Sequence, residues 1–134
     1  MIVVDTNVVA YFLIDGPQTP NAEHALIKDP DWFAPPLWRN EFLNVLAVHM
    51  RHGHLALERA ARIMSDSEVL LAEREIRGDS ERVLRLVARS NCSAYDCEFV
   101  ALAEELSTFL VTSDERIVRE FPDTVISLES FAGS

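Results

Sequence analysis

The chain has 134 residues, 49% hydrophobic and 25% charged, which fits one folded domain with a real core and excludes a disordered chain. Its formal charge of −10 argues against generic coating of nucleic acid. No apolar stretch is long enough to span a bilayer, and the chain opens directly on a strand-like run without a basic leader, so a cytoplasmic protein with no membrane partner is expected.

Taken in order, Ile2-Val3-Val4-Asp5 reads as a short strand, its unbroken apolar run suiting a parallel sheet covered on both faces. A helix from Thr6 to Ile14 follows at once, stopped by Gly16-Pro17. Asn21 can cap a short helix reaching about Lys28. Trp32-Phe33-Ala34 is a short strand before Pro35-Pro36.

The spacing of Trp38, Phe42, Val45, Leu46 and His49 predicts a helix from about Leu37 to Arg51, with Gly53 as its stop. A second helix runs from about Ala56 to Met64 or beyond. Val69 to Ile76 is mixed, with room for a short strand. Asp79 can cap a helix through Val87, and Ser93 begins another carrying Phe99, Val100, Ala103 and Leu106 on one face. Phe109 to Thr112 is a buried strand, Asp114 to Glu120 a short helix ended by Pro122, and Thr124 to Ser127 the last strand. Strands alternating with helices imply α/β architecture with a mainly parallel sheet. No repeat or linker divides residues 1–134.

Four acids stand out in this plan: Asp5, Glu41, Asp96 and Asp114. Asp5 and Asp114 follow strands at their carboxyl ends, where open α/β sheets build their sites. Glu41 and Asp96 fall on the apolar faces of two helices. A carboxylate there is costly unless it is paired or binds a cation. Brought together, the four would repel and call for a divalent metal, the arrangement that metal-dependent phosphodiester chemistry needs. Each also has a plainer reading. Asp5 and Asp114 can be N-caps, and Ser93-Ala94-Tyr95-Asp96 can be a capping box. Glu41 lies mid-helix, where its main alternative is a salt bridge to an arginine. Asn7 and Thr112 are neutral polar neighbours that can orient ligands, or serve only local turns.

The other features weigh less. Cys92 and Cys97 lack redox or zinc spacing and read as free thiols. His49, His52 and His54 cluster at a helix terminus without a completing ligand set. Residues 51 to 89 hold eight of the twelve basic side chains, all arginine, together with seven acids; the plain reading is helical surface charge. Trp38 and Phe42 read as core rather than as a base-stacking platform.

Three motifs then fall into one pattern: Val3-Val4-Asp5-Thr6-Asn7-Val8, Arg39-Asn40-Glu41-Phe42-Leu43-Asn44-Val45-Leu46, and Tyr95-Asp96-Cys97-Glu98-Phe99-Val100-Ala101-Leu102-Ala103 followed by Leu110-Val111-Thr112-Ser113-Asp114. In this order and spacing the chain resembles a PIN-domain ribonuclease, most closely the VapC-type toxins of toxin–antitoxin pairs. The resemblance covers nearly the whole chain. It implies a single PIN domain over 1–134, a three-layer α/β/α sandwich around a parallel sheet, and Mg²⁺- or Mn²⁺-dependent endonucleolytic cleavage of RNA. The expected products carry a 5′-phosphate and a 3′-hydroxyl. Asp5, Glu41, Asp96 and Asp114 map onto the family's acidic quartet, which holds metal, and Asn7 and Thr112 onto its supporting positions. A homodimer and a cognate antitoxin partner are implied as well. The roles of Glu98 and Glu115 stay open.

Rival classes fit less well. A dinucleotide-binding fold lacks its Gly-rich turn, since Gly16, Gly53, Gly78 and Gly133 never cluster. Phosphoaspartate receivers and haloacid-dehalogenase-like phosphatases rely on a late lysine, and the sole lysine here is Lys28. An RNA-maturation PIN nuclease without an antitoxin, or a non-catalytic regulatory module, stays as the alternative.

Overall fold

The structure is a computed structural model and describes residues 1–133. Its elements run β1 (Ile2–Val4), α1 (Thr6–Leu13), α2 (Thr19–Lys28), β2 (Trp32–Phe33), α3 (Trp38–Arg51), α4 (Leu57–Leu70), α5 (Ser80–Ala88), α6 (Ala94–Glu105), β3 (Leu110–Thr112), α7 (Glu115–Glu120), β4 (Val125–Ser127) and α8 (Leu128–Gly133). The sheet order is β2-β1-β3-β4, and every pairing is parallel. Val3 faces Leu110 and Val4 faces Val111 in the central register.

Every residue of β1 and of β3 is buried. Successive side chains of a strand point to opposite faces, so helices must cover both sides of the central pair. This is the α/β/α layering that the apolar runs imply. The core extends from the sheet into α3 through Trp38 and Phe42, both inaccessible, whose rings lie 6.2 Å apart. Burying a side chain of that size contributes about 1.5–3 kcal/mol, so these two aromatics anchor α3 against the body and fix where Glu41 points.

Several termini follow the chemistry of their residues. Asp79 accepts from the Arg82 N–H and Ser93 from the Asp96 N–H, as N-caps do. Past the end of α3, Gly53 takes a φ of +76°, its N–H bonding the Met50 carbonyl while His54 N–H bonds that of His49. That paired closure is the Schellman motif, and it needs the left-handed residue that glycine supplies without strain.

Other expectations shift. Asn21 does not cap α2; the helix starts at Thr19 with Pro20 in its first turn, and the Asn21 amide instead donates to Gln18. Proline suits that turn because its missing N–H would lack a helical partner anyway. No strand forms over 69–76: α4 continues to Leu70, Glu73 turns left-handed at φ 65°, and only one isolated bridge joins Glu75 to Ala34. The helix α8 is absent from the sequence-based plan. It packs on α2, where the Lys28 ammonium meets the Phe131 carbonyl at 3.0 Å and the Phe131 ring at 4.5 Å.

Candidate active site

The parallel sheet places Asp5 and Thr112 side by side, because β1 and β3 are hydrogen-bonded neighbours that end at the same edge. The Asp5 N–H continues the ladder to the Val111 carbonyl at 3.1 Å. Asp5 occupies the N-cap position of α1, yet its side chain makes no capping bond. Its Oδ2 instead accepts from Thr112 Oγ1 at 2.7 Å. Thr112 Oγ1 itself accepts the Asp114 N–H at 3.0 Å. A hydroxyl has one proton, so this backbone donor aims the Thr112 proton at Asp5. The aspartate is thereby fixed while keeping unused lone pairs for a ligand.

Glu41 reaches the same place from α3. It is half-buried, and Thr6 Oγ1 donates to its Oε1 at 2.7 Å. Among the described residues no arginine pairs with it. Its neighbour Arg39 points elsewhere, to Glu75 and Glu68, each at 2.7 Å. The salt-bridge explanation of Glu41 is thus removed by geometry.

Asp96 and Asp114 come from α6 and the start of α7. Ser93 forms its half of a capping box, but the Asp96 carboxylate turns to the Arg116 guanidinium at 3.1 Å. Asp114 does cap α7, its Oδ1 accepting the Arg116 N–H at 2.9 Å. Its Oδ2 takes no part in that cap and lies 3.9 Å from the Arg116 guanidinium.

The electrostatics show that these acids share one locality. Burial pushes the Asp5 carboxyl above its usual range; the Thr112 hydroxyl and the Thr6 backbone oppose this, and the charges of Asp96 and Asp114 add to it. Burial likewise raises Glu41 against the Thr6 hydrogen bond, with Asp5, Asp96 and Glu98 adding repulsion. Asp5 therefore feels Asp96 and Asp114, and Glu41 feels Asp5 and Asp96, across separate stretches of chain. Burying and grouping like charges is unfavourable for folding alone.

The donor set is all carboxylate and hydroxyl oxygen, the chemistry that Mg²⁺ and Mn²⁺ prefer. Among the described residues no three His, Cys, Asp or Glu side chains stand at the spacing of a ready-made metal cage. Mg²⁺ usually keeps several waters and takes only one or two carboxylates directly. The arrangement fits a hydrated ion of that kind.

The remaining sequence candidates fall around this group. Asn7 is exposed on the first turn of α1, and its side chain makes no hydrogen bond among the described residues. Glu98 is half-buried beside Glu41, and Glu115 is exposed. Cys92 and Cys97 are buried free thiols. The three histidines gather at the α3–α4 turn, with ring centroids 5.8 Å apart for His49 and His54 and 5.9 Å for His52 and His54. Two contributors escaped the sequence reading. Thr6 holds Glu41, and Arg116 holds Asp96. Their only sequence signal is position, directly after Asp5 and two residues after Asp114.

Comparison with known proteins gives the family and the fold. The family model for the PIN domain matches residues 2–121, and the chain belongs to that family. It is 26% identical over 128 residues to "Ribonuclease VapC3" of Pyrobaculum aerophilum, covering 92% of this chain and 97% of that protein. The fold superposes on PAE2754 from the same organism with a TM-score of 0.77 at 17% identity, covering 98% of this chain and 93% of that one. It also matches FitAcB from Neisseria gonorrhoeae, with a TM-score of 0.76, 18% identity and coverage of 96% and 99%. A toxin–antitoxin complex from Klebsiella pneumoniae gives 0.64, 17% identity and coverage of 96% and 98%.

Proposed function

We propose that this chain is a VapC-type endoribonuclease, the toxin of a toxin–antitoxin pair, which cleaves RNA with a divalent ion held by Asp5, Asp96, Asp114 and Glu41, one or two of them directly and the others through its waters. What supports the reading is that Asp5 lies within electrostatic reach of Asp96 and Asp114, and Glu41 within that of Asp5 and Asp96, while burial pushes the pKa values of Asp5 and Glu41 up. Likeness to a protein named as a ribonuclease supports RNA as the substrate.

When bound, Mg²⁺ or Mn²⁺ supplies an acidified water and neutralises charge at the phosphate. The protein's own part is positioning. Thr112 and Thr6 each hold one oxygen of an acid, Asp5 and Glu41 respectively, so the ligands are set before the ion arrives. Asp5 would hold the ion from the end of β1, tied to β3 through Thr112 and the Val111 carbonyl. Glu41 approaches from α3 with one oxygen unengaged, suited to orient water beside the scissile phosphate. No histidine or serine nucleophile is required.

The partner side of the reading rests on a second surface. Between α3 and α4 lies an apolar cavity of about 330 Å³, lined by Leu43, Leu46, Met50, Leu57, Ala60 and Met64. Leu43 and Leu57 are exposed there. An amphipathic antitoxin helix fits such a groove, and an arginine near it can pair with the acidic site in bidentate fashion. The homodimer belongs to the same proposal and is open to sedimentation analysis. Among the described residues no helix is long and apolar enough to cross a membrane.

The test is RNA-end mapping after expression of the wild type and of Asp5→Asn. Discrete new 5′-phosphate ends are expected with the wild type, reduced about a hundredfold or more in the variant, since losing a ligand should cost at least as much as losing its support. Equal cleavage by both would refute the assigned site. Growth arrest relieved by a co-expressed neighbouring reading frame separates the toxin from an RNA-maturation nuclease, which would need no such neighbour.

A further inference from the structure

Among the described residues, the ion pairs made by the four acids all go to one side chain, Arg116. Its guanidinium lies 3.1 Å from Asp96 Oδ2 and 3.9 Å from Asp114 Oδ2, while its backbone N–H holds Asp114 Oδ1 at 2.9 Å. One residue therefore touches both oxygens of Asp114 and one of Asp96. Those are oxygens a divalent ion at this site would draw on.

We propose that Arg116 is a positioning residue with two alternating posts. In one it bridges Asp96 and Asp114 and screens their repulsion. In the other it yields them to the divalent ion and turns its guanidinium to an RNA phosphate. The inference rests on the nuclease reading above and adds to it a competition and a substrate contact.

Three physical points carry it. First, a guanidinium and a dication cannot occupy the same carboxylate oxygens, so each excludes the other. Second, the Arg116 bridge is weak enough to yield. Its side chain is 52% exposed, and exposed pairs are screened and worth little. Third, the residue cannot leave the neighbourhood when displaced. Its backbone is tied to Asp114, and the next residue, Ile117, is buried in the core. The released guanidinium stays at the rim of an acidic site on a chain of net charge −10. RNA approaching that site needs a local cation, and a planar guanidinium grips phosphate with two parallel bonds.

The test reads binding rather than turnover. Mn²⁺ affinity is measured from the free-ion electron paramagnetic resonance signal. RNA affinity is measured by anisotropy of a short fluorescent single-stranded RNA, with Ca²⁺ in place of Mg²⁺, over a series of salt concentrations. In Arg116→Ala, Mn²⁺ should bind about two- to fivefold more tightly, the range an exposed ion pair commands. RNA should bind more weakly, with its salt slope reduced by about 0.7, one phosphate contact on a single strand. Arg116→Lys should restore part of the RNA affinity, since it keeps the charge but not the fork. Arg85→Ala removes the same charge from an exposed site paired, among the described residues, only with Glu81, and it should leave both affinities unchanged. Mn²⁺ affinity unaltered or weakened in Arg116→Ala overturns the competition. An Arg85→Ala effect equal to that of Arg116→Ala reduces the role to net charge and overturns it too. A wild type that binds neither Mn²⁺ nor RNA would instead bring down the nuclease reading itself.

Discussion

The acidic end of the sheet and the arginine-rich helix α5 treat charge in opposite ways. On α5 and at its C-cap, Arg82 meets Glu104 at 3.3 Å and Glu105 at 3.8 Å, Arg85 meets Glu81 at 2.7 Å, and Arg89 meets Glu104 at 3.3 Å. Each cation there has an acid beside it, and the arginine side chains are exposed. At the sheet end, among the described residues, Asp5 and Glu41 have neutral hydroxyls and, for Asp5, the Thr6 backbone as hydrogen-bond partners, and other acids as charged neighbours. Charge on the helix face is settled within the protein. The charge of Asp5 and Glu41 is left for something else to settle. A concentration of charge in sequence is therefore a weaker sign of function than charge whose balance the fold does not provide.

The contrast can be broken from the acidic side first. Glu41→Gln keeps shape and the acceptor that Thr6 uses, so the fold should persist while cleavage drops roughly tenfold to a hundredfold. Circular dichroism and single-turnover RNA cleavage check both halves. Unchanged cleavage would make Glu41 a structural acid, no different in kind from Glu104. Next in size is Thr112→Val. It removes the donor to Asp5 and the acceptor for the Asp114 N–H, and activity should fall about tenfold, as for lost support of a metal ligand. The Asp114 N–H is part-buried, so leaving it unpaired should cost at most the roughly 1–3 kcal/mol of a buried group, visible as a lower melting temperature. Thr112→Ser keeps the hydroxyl and should recover most of the activity; failure to recover would show that the methyl, not the hydrogen bond, matters.

A smaller effect is expected in the pH dependence of stability in chelator. Asp5 and Glu41 have folded pKa values raised above their ordinary 3.8 and 4.5. The folded state then binds more protons than the unfolded one across that window. Stability should fall as pH climbs from those ordinary values through the raised ones, with the full penalty present above them. The combined Asp5→Asn, Glu41→Gln variant should flatten the slope, and Mg²⁺ at neutral pH should restore stability to the wild type by linkage. A wild type with the same slope as the variant would show that the two acids are not strained. The smallest effect belongs to the other region. Arg82→Ala should change stability by less than about 1 kcal/mol, as exposed pairs do, and leave cleavage intact. A large loss of RNA cleavage there would reassign α5 to the substrate surface and dissolve the contrast.

The layering was legible because composition enforces it locally. Ile2-Val3-Val4 and Leu110-Val111-Thr112 are apolar or small without a break, which only a sheet covered on both faces accommodates. The stop at Gly53 and the caps at Asp79 and Ser93 were readable for the same reason: each bond joins residues within a few positions of one another. The helix α8 was not, since its stability comes from docking on α2, a hundred or so residues earlier in the chain. The strand considered within 69–76 failed because a strand needs a partner, and the fold offers that stretch one bridge.

For the site, the sequence by itself determined which residues carry charge in places where charge is costly, and it supplied Asp5, Glu41, Asp96 and Asp114 as candidates. Only the tertiary structure shows which local partners they have. It showed that Asp5 does not cap its helix, that Glu41 has Thr6 rather than an arginine, and that Asp96 turns to Arg116. It also left Asn7 exposed and brought in Thr6 as a holder of Glu41. The reason is range. Capping and periodicity act over a few residues, so the chain itself displays them. The Thr6–Glu41 bond spans 35 positions and the Asp5–Thr112 bond spans 107, and no local pattern encodes a partner at that distance.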